Sequence, residues 1–106
     1  MRIIARRTLT RFVESLAGRR DHPAAKDAID VWHDRASKAQ WRNSADVRQT
    51  FATASIVNAE RIVFNIKGND YRLVVAIDFD KSIIWIKWLG THKEYDHIDA
   101  AKVEYD

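Results

Sequence analysis

The chain has 106 residues, which fits one domain spanning 1–106, and 46% of them are hydrophobic, enough for a compact core. It has no cysteine, which excludes disulfides, thiolate metal sites and a cysteine nucleophile. Residues 1–50 carry 11 Lys and Arg against 6 Asp and Glu, residues 51–106 carry 7 against 9, and the net charge is +3; the basic half is compatible with a polyanionic partner and equally with an ordinary solvated surface. No run approaches the roughly 20 apolar residues of a membrane span, and arginines break the opening MRIIARRTLTRF where a secretory signal would be apolar. A soluble, cytoplasmic protein without membrane contact is expected.

Met1 to Ala5 is short and aliphatic and reads as an edge strand. Leu9, Phe12, Val13 and Leu16 recur at helical spacing, predicting a helix over about Leu9 to Ala17 with Thr8 as cap and Gly18 as stop. Arg19-Arg20-Asp21-His22 reads as a polar turn. Pro23 suits the first position of a second helix, which runs to about Ala39 on a stripe of Ala25, Ala28, Ile29, Trp32, Ala36 and Ala39. Val47 and Phe51 suggest one more short helical turn.

From Glu60 the period changes to alternation. Strands are expected over Glu60 to Lys67, Tyr71 to Phe79 and Ser82 to Leu89, joined at Gly68-Asn69-Asp70 and at Asp80-Lys81. The fold class is therefore α+β: an N-terminal strand and two helices on one face of a small antiparallel sheet, in the order β-α-α-β-β-β.

Alternation also sorts the faces. Ile62, Phe64, Ile66, Tyr71, Leu73, Val75, Ile77, Phe79, Ile84, Ile86 and Trp88 should face the helices. The other face carries Arg61, Val63, Asn65, Lys67, Arg72, Val74, Ala76, Asp78, Trp85 and Lys87. Four cations against one carboxylate, with a tryptophan among them, suit single-stranded nucleic acid. One-sided sheets also show charge to water, and Arg61 and Lys87 fit that plainer reading. Arg72 stands apart, because Val74 and Ala76 beside it would leave its side chain in a shallow hollow.

Gly90-Thr91-His92-Lys93-Glu94-Tyr95-Asp96-His97 is the most informative stretch. Thr91-x-x-Glu94 is a capping box that opens a short C-terminal helical turn, with Gly90 permitting a sharp exit from the strand. His92 and Lys93 then fall in its first turn, where backbone N–H groups favour an anion. Tyr95 and Asp96 follow three and four residues later, on the same side as His92. Metal-free RNA cleavage needs a base for the 2′-OH, an acid for the leaving 5′-oxygen and cations at phosphorus. His92 suits base or acid because imidazole titrates near neutral pH. Arg72 and Lys93 suit the phosphate, Tyr95 a stacked base or a proton relay, and Asp96 the orientation of His92. A histidine beside a helix start is more often a plain surface residue, and His22, His33 and His97 are read that way. Asp78, Asp80 and Asp96 share no metal-ligand spacing with a histidine; no metal and no cofactor are expected, and there is no Gly-rich phosphate loop.

The runs Asn65-Ile66-x-Gly68-Asn69-x-Tyr71-Arg72-Leu73 and Thr91-His92-Lys93-Glu94-Tyr95-Asp96 resemble HigB-type toxins of the RelE-like superfamily. The order of elements agrees, over nearly the whole chain. The resemblance implies a RelE-like fold and a toxin of a type II toxin–antitoxin system that cleaves mRNA, in many relatives on the translating ribosome. It implies inhibition by a HigA-type helix-turn-helix antitoxin, through which the pair reaches operator DNA. By matching position Arg72, His92, Lys93, Tyr95 and Asp96 would form the active-site group, with Asn65, Lys67, Trp85 and Lys87 as RNA contacts. Two alternatives stay open: a non-enzymatic toxin on the same scaffold that poisons gyrase, and an RNA-binding module without catalysis.

Overall fold

The computed structural model describes residues 1–4, 6–20 and 22–104. Ala5, the expected end of the first strand, and Asp21, in the expected turn, lie outside the described residues. The elements are β1 (Arg2–Ile4), α1 (Arg6–Ser15), α2 (His22–Lys38), α3 (Ser44–Thr50), β2 (Ser55–Ile56), β3 (Arg61–Ile66), β4 (Tyr71–Asp78), β5 (Ile83–Thr91) and α4 (His92–Tyr95). The α+β class, the helices on one side and the closing helical turn agree with the sequence reading.

The sheet departs from that reading in two ways. It has five strands in the order β1-β5-β4-β3-β2, and β1 pairs parallel with β5, so the sheet is mixed rather than antiparallel. Periodicity identifies a strand but not its neighbour; β5 has one edge free once β4 takes the other, and the two helices give the crossover that parallel pairing needs. The extra strand β2 is two residues long, too short to show any alternation.

Local signals explain the helices. Gly18 adopts φ +84 and stops the chain after α1. Thr8, the expected cap, lies inside α1 and is buried, because the helix begins at Arg6. Asn43 caps α3, its side chain accepting the Asp46 N–H.

One core joins the helices to the sheet. Leu9 of α1, Leu16 just after it, and Ala25, Ile29, Trp32 and Ala36 of α2 pack on Ile62, Phe64, Ile66, Leu73, Val75, Ile77, Ile84 and Ile86. Phe64 is its aromatic hub: Trp32, Phe51 and Trp41 lie 5.4, 5.2 and 6.2 Å from its ring. The alanines of α2 let that helix approach closely, as its stripe predicted.

A bulge in β5 changes one face assignment. Val74 pairs with Trp88 but Val75 pairs with Ile86, leaving Lys87 as the extra residue. Beyond it the alternation slips by one, so Leu89 enters the core and Trp88 turns to the outer face, contrary to the reading from strict alternation.

Part of the outer face is also closed to water. Val63 and Val74, expected there as solvent-side residues, are 2% and 0% exposed. The chain beyond α4 returns to this face at Arg61 and Lys87. Arg61, itself buried, donates from Nη1 to the Val103 carbonyl at 2.6 Å and from Nη2 to Glu104 Oε1 at 2.7 Å. Lys87 Nζ donates to the other Glu104 oxygen at 2.8 Å.

Candidate active site

The four cations expected on the outer face have separate fates. Arg61 and Lys87 both pair with Glu104. The Lys87 hydrogen bond does most to hold the Glu104 carboxyl below its ordinary range; burial opposes it, and the Arg61 hydrogen bond and both charges add to the lowering. Lys67 pairs with Asp70 at 3.1 Å and sits in the hairpin with φ 53, beside Gly68 at φ 64. Arg72 alone of the four has no carboxylate within 4 Å among the described residues.

Arg72 is half-buried in β4, between Asn65 of β3 and Gly90 of β5. Its Cζ lies 5.9 Å from the centre of the Tyr95 ring, within cation–π reach. Its Nη1 makes a long 3.4 Å hydrogen bond to the Asn69 carbonyl. The Trp88 ring stands 6.3 Å from Tyr95. A guanidinium against the Tyr95 ring, with Trp88 beside that ring and most of its donors free among the described residues, is suited to gripping a phosphate.

Gly90 makes this arrangement possible in a way its sequence context does not show. It lies inside β5, not at a sharp exit, and its φ is not positive. A Cβ there would stand 2.5 Å from Trp88 Cη2 and 2.6 Å from Cζ2. The missing side chain is the space into which the indole folds.

The capping box forms as expected: Glu94 N–H donates to Thr91 Oγ1 at 3.1 Å and Thr91 N–H to Glu94 Oε1 at 2.9 Å. It turns α4 so that Tyr95 faces Arg72. His92 and Lys93, both exposed, take the other side. They line a groove of about 500 Å³ with Arg19, Asn69, Asp70 and Tyr71. The five candidate residues thus do not converge on one point. Arg72 and Tyr95 meet, His92 and Lys93 sit around the end of the sheet, and the Asn69 hairpin borders both places. Asp96 is exposed and closes α4, its N–H donating to the Glu94 carbonyl; no hydrogen bond joins it to His92 among the described residues. The first turn of α4 is not a free anion site, because His92 N–H donates to the Asp70 carbonyl at 2.9 Å and Glu94 N–H is taken by the cap.

Of the expected RNA contacts, Asn65 lies beside Arg72. Trp85 pairs with Ala76, four residues along β4 from Arg72, or about 13 Å at strand rise. It lines a hollow in which Glu60, Asp78 and Asp80 outnumber one cation, Arg42, so the surroundings disfavour phosphate. Trp88 and Arg19 were missed by sequence reasoning, the first because the bulge is invisible in the pattern, the second because a turn arginine has no local signature. Among the described residues no three His, Asp or Glu side chains gather as a metal site, and no helix is long and apolar enough to cross a membrane.

The strand–helix order, the mixed sheet and the aromatic-backed arginine define a RelE-like α+β protein. The family model HigB_toxin, described as the RelE-like toxic component of a toxin–antitoxin system, matches residues 25–98. That is well over half of the chain, and the chain belongs to this family. No curated protein matches it. It is a toxin of a toxin–antitoxin system, and its family implies an antitoxin partner.

Proposed function

We propose that this toxin is a metal-independent endoribonuclease that cleaves mRNA on the translating ribosome, acting in the cytoplasm as a single domain over 1–106. A HigA-type helix-turn-helix antitoxin silences it and carries the pair to operator DNA. The observation that supports this reading best is Arg72: half-buried, unpaired with any carboxylate among the described residues, and set against the Tyr95 ring, which has Trp88 beside it.

In the proposed reaction the ribose 2′-oxygen attacks phosphorus and the bond to the 5′-oxygen breaks. One group takes the 2′-proton and another gives a proton to the leaving oxygen, yielding a 2′,3′-cyclic phosphate and a 5′-hydroxyl. Arg72 grips the non-bridging oxygens, where negative charge grows. Tyr95, with Trp88 beside it, backs the guanidinium, and the two rings offer a surface for a base. His92 is the proton-transfer candidate and Lys93 a second cation, each reaching the RNA as it turns around the end of the sheet. Asn65 is a neighbouring contact, and Asp96 is an outlying member of the group. Lys87, satisfied by Glu104, and Trp85, among carboxylates, are left out as RNA contacts; Lys67 contributes only if it exchanges Asp70 for phosphate.

The test is cleavage of a purified mRNA in chelator, with end-group analysis. Cyclic or 3′-phosphate ends are expected, with loss of roughly 10²–10³-fold in Arg72→Ala and roughly 10²–10⁴-fold in His92→Ala. Cleavage abolished by chelator and restored by magnesium would refute the metal-free chemistry. Intact mRNA with arrested replication after induction would refute the nuclease.

A further inference from the structure

We propose that Arg19, in the turn between α1 and α2, forms with Lys93 a second phosphate site that holds the nucleotide next to the scissile one. This inference rests on the reading that the ligand is single-stranded RNA. Three observations support it. The groove beside Asn69 is lined by Arg19, His92 and Lys93, side chains from two elements far apart in sequence. Its one carboxylate is already engaged, since Asp70 Oδ2 takes Lys67 Nζ at 3.1 Å. The groove is contiguous with the Arg72 site through a single residue, Asn69, which lines the groove and whose carbonyl takes the Arg72 guanidinium.

Gly18 explains how Arg19 arrives there. Its φ of +84 reverses the chain immediately after α1, and the Arg19 N–H is then fixed to the Leu16 carbonyl at 2.9 Å. Arg19 also lines the adjoining hollow beneath Trp88 and Glu94, where Glu94 Oε1 is occupied by the Thr91 N–H. Its guanidinium has no hydrogen bond or ion pair among the described residues, so its fork of donors remains for a phosphate. Arg20, next in the chain and also exposed, lines neither hollow. Arg19 precedes the stretch matched by the family model, so the family match does not assign it this role.

Arg20 supplies the control. Binding of a fluorescent 2′-O-methyl RNA 12-mer, which lacks the attacking hydroxyl, is measured over a salt series for the unsubstituted protein, Arg19→Ala, Arg20→Ala and Arg72→Ala, with thermal melts confirming the fold. Arg19→Ala should weaken binding roughly tenfold at low salt, as expected for one charge-assisted contact. It should also make the salt slope shallower by about 0.7, the value for one phosphate on a single strand. Arg20→Ala should change neither. A dinucleotide with one phosphate should not distinguish Arg19→Ala from the parent protein. If the parent protein and Arg19→Ala bind the 12-mer equally, or if Arg20→Ala matches Arg19→Ala, the second site is overturned while the nuclease reading stands. If the parent protein fails to bind the 12-mer and fails to cleave mRNA, both are overturned.

Discussion

Substituting Gly90 by alanine tests how the aromatic support of Arg72 is built. The new methyl carbon would stand 2.5 and 2.6 Å from two atoms of the Trp88 indole. Carbon atoms pack at about 3.5–4.0 Å, so the ring must retreat by roughly 1 Å. Trp88 is half-buried and the atoms that clash are at the far end of its ring, so the indole can swing. The stability loss should therefore fall at the low end of the roughly 1–3 kcal/mol typical of overpacking. The swing also loosens the Trp88–Tyr95 pair, a contact of a kind worth about 0.5–1.5 kcal/mol. A total near 1–2 kcal/mol lowers the melting temperature by about 4–8 °C per kcal/mol in a domain of this size. Cleavage should suffer more, because a displacement of about 1 Å in a positioning group costs on the order of 10²-fold. The assay is a calorimetric melt beside single-turnover cleavage of the same RNA. Combining Gly90→Ala with Trp88→Phe, whose smaller ring lacks the clashing atoms, should recover most of the melting temperature. A Gly90→Ala protein that melts and cleaves like the parent would refute the reasoning, as would a melting loss that persists in the double variant.

Three further outcomes are expected. Tyr95→Phe keeps the ring against Arg72 and should retain most of the cleavage rate, whereas Tyr95→Ala should not; a loss of about 10²-fold or more in the phenylalanine variant would instead make the hydroxyl a proton-transfer group. Phe64→Ala removes the ring that touches Trp32, Trp41 and Phe51 and should cost about 3–5 kcal/mol, read from urea denaturation. Glu104 has a folded-state carboxyl held below its ordinary value, chiefly by Lys87, so its contribution is present above that ordinary value and disappears as pH falls through the lowered one. Protection factors over residues 99–103, which correct exchange for its intrinsic pH dependence, should fall on acidification, and Glu104→Gln should show the lower protection already at neutral pH; identical protection in both proteins across the range would contradict the tail's anchorage.

The inner face of the sheet was legible because strand alternation is local: Ile62, Phe64, Leu73, Val75, Ile84 and Ile86 lie where period two puts them. The α4 turn was legible for the same reason, since Thr91 and Glu94 satisfy each other within four residues. Trp88 was misplaced because one extra residue at Lys87 inverts every later position, and no residue type announces a bulge. The outer face was misjudged because Val103 and Glu104 carry no signal that they return to Arg61, 42 and 43 residues earlier in the chain.

Local chemistry, then, is enough to settle the element types, the apolar faces, the chain reversals at Gly18 and Gly68, and the family motif around Arg72 and Tyr95. Tertiary packing alone settled that β1 joins β5 in parallel, that Trp88 and not Trp85 stands beside the Tyr95 ring that meets the arginine, and that Glu104 pairs with two of the expected cations. It also decided that Tyr95 joins Arg72 while His92 and Lys93 turn toward Arg19. Propensity, periodicity and capping act over a few residues and can be read along the chain; the partner of a strand edge or of a charge is chosen by long-range packing, where the competing choices differ by burial and geometry that no short segment contains.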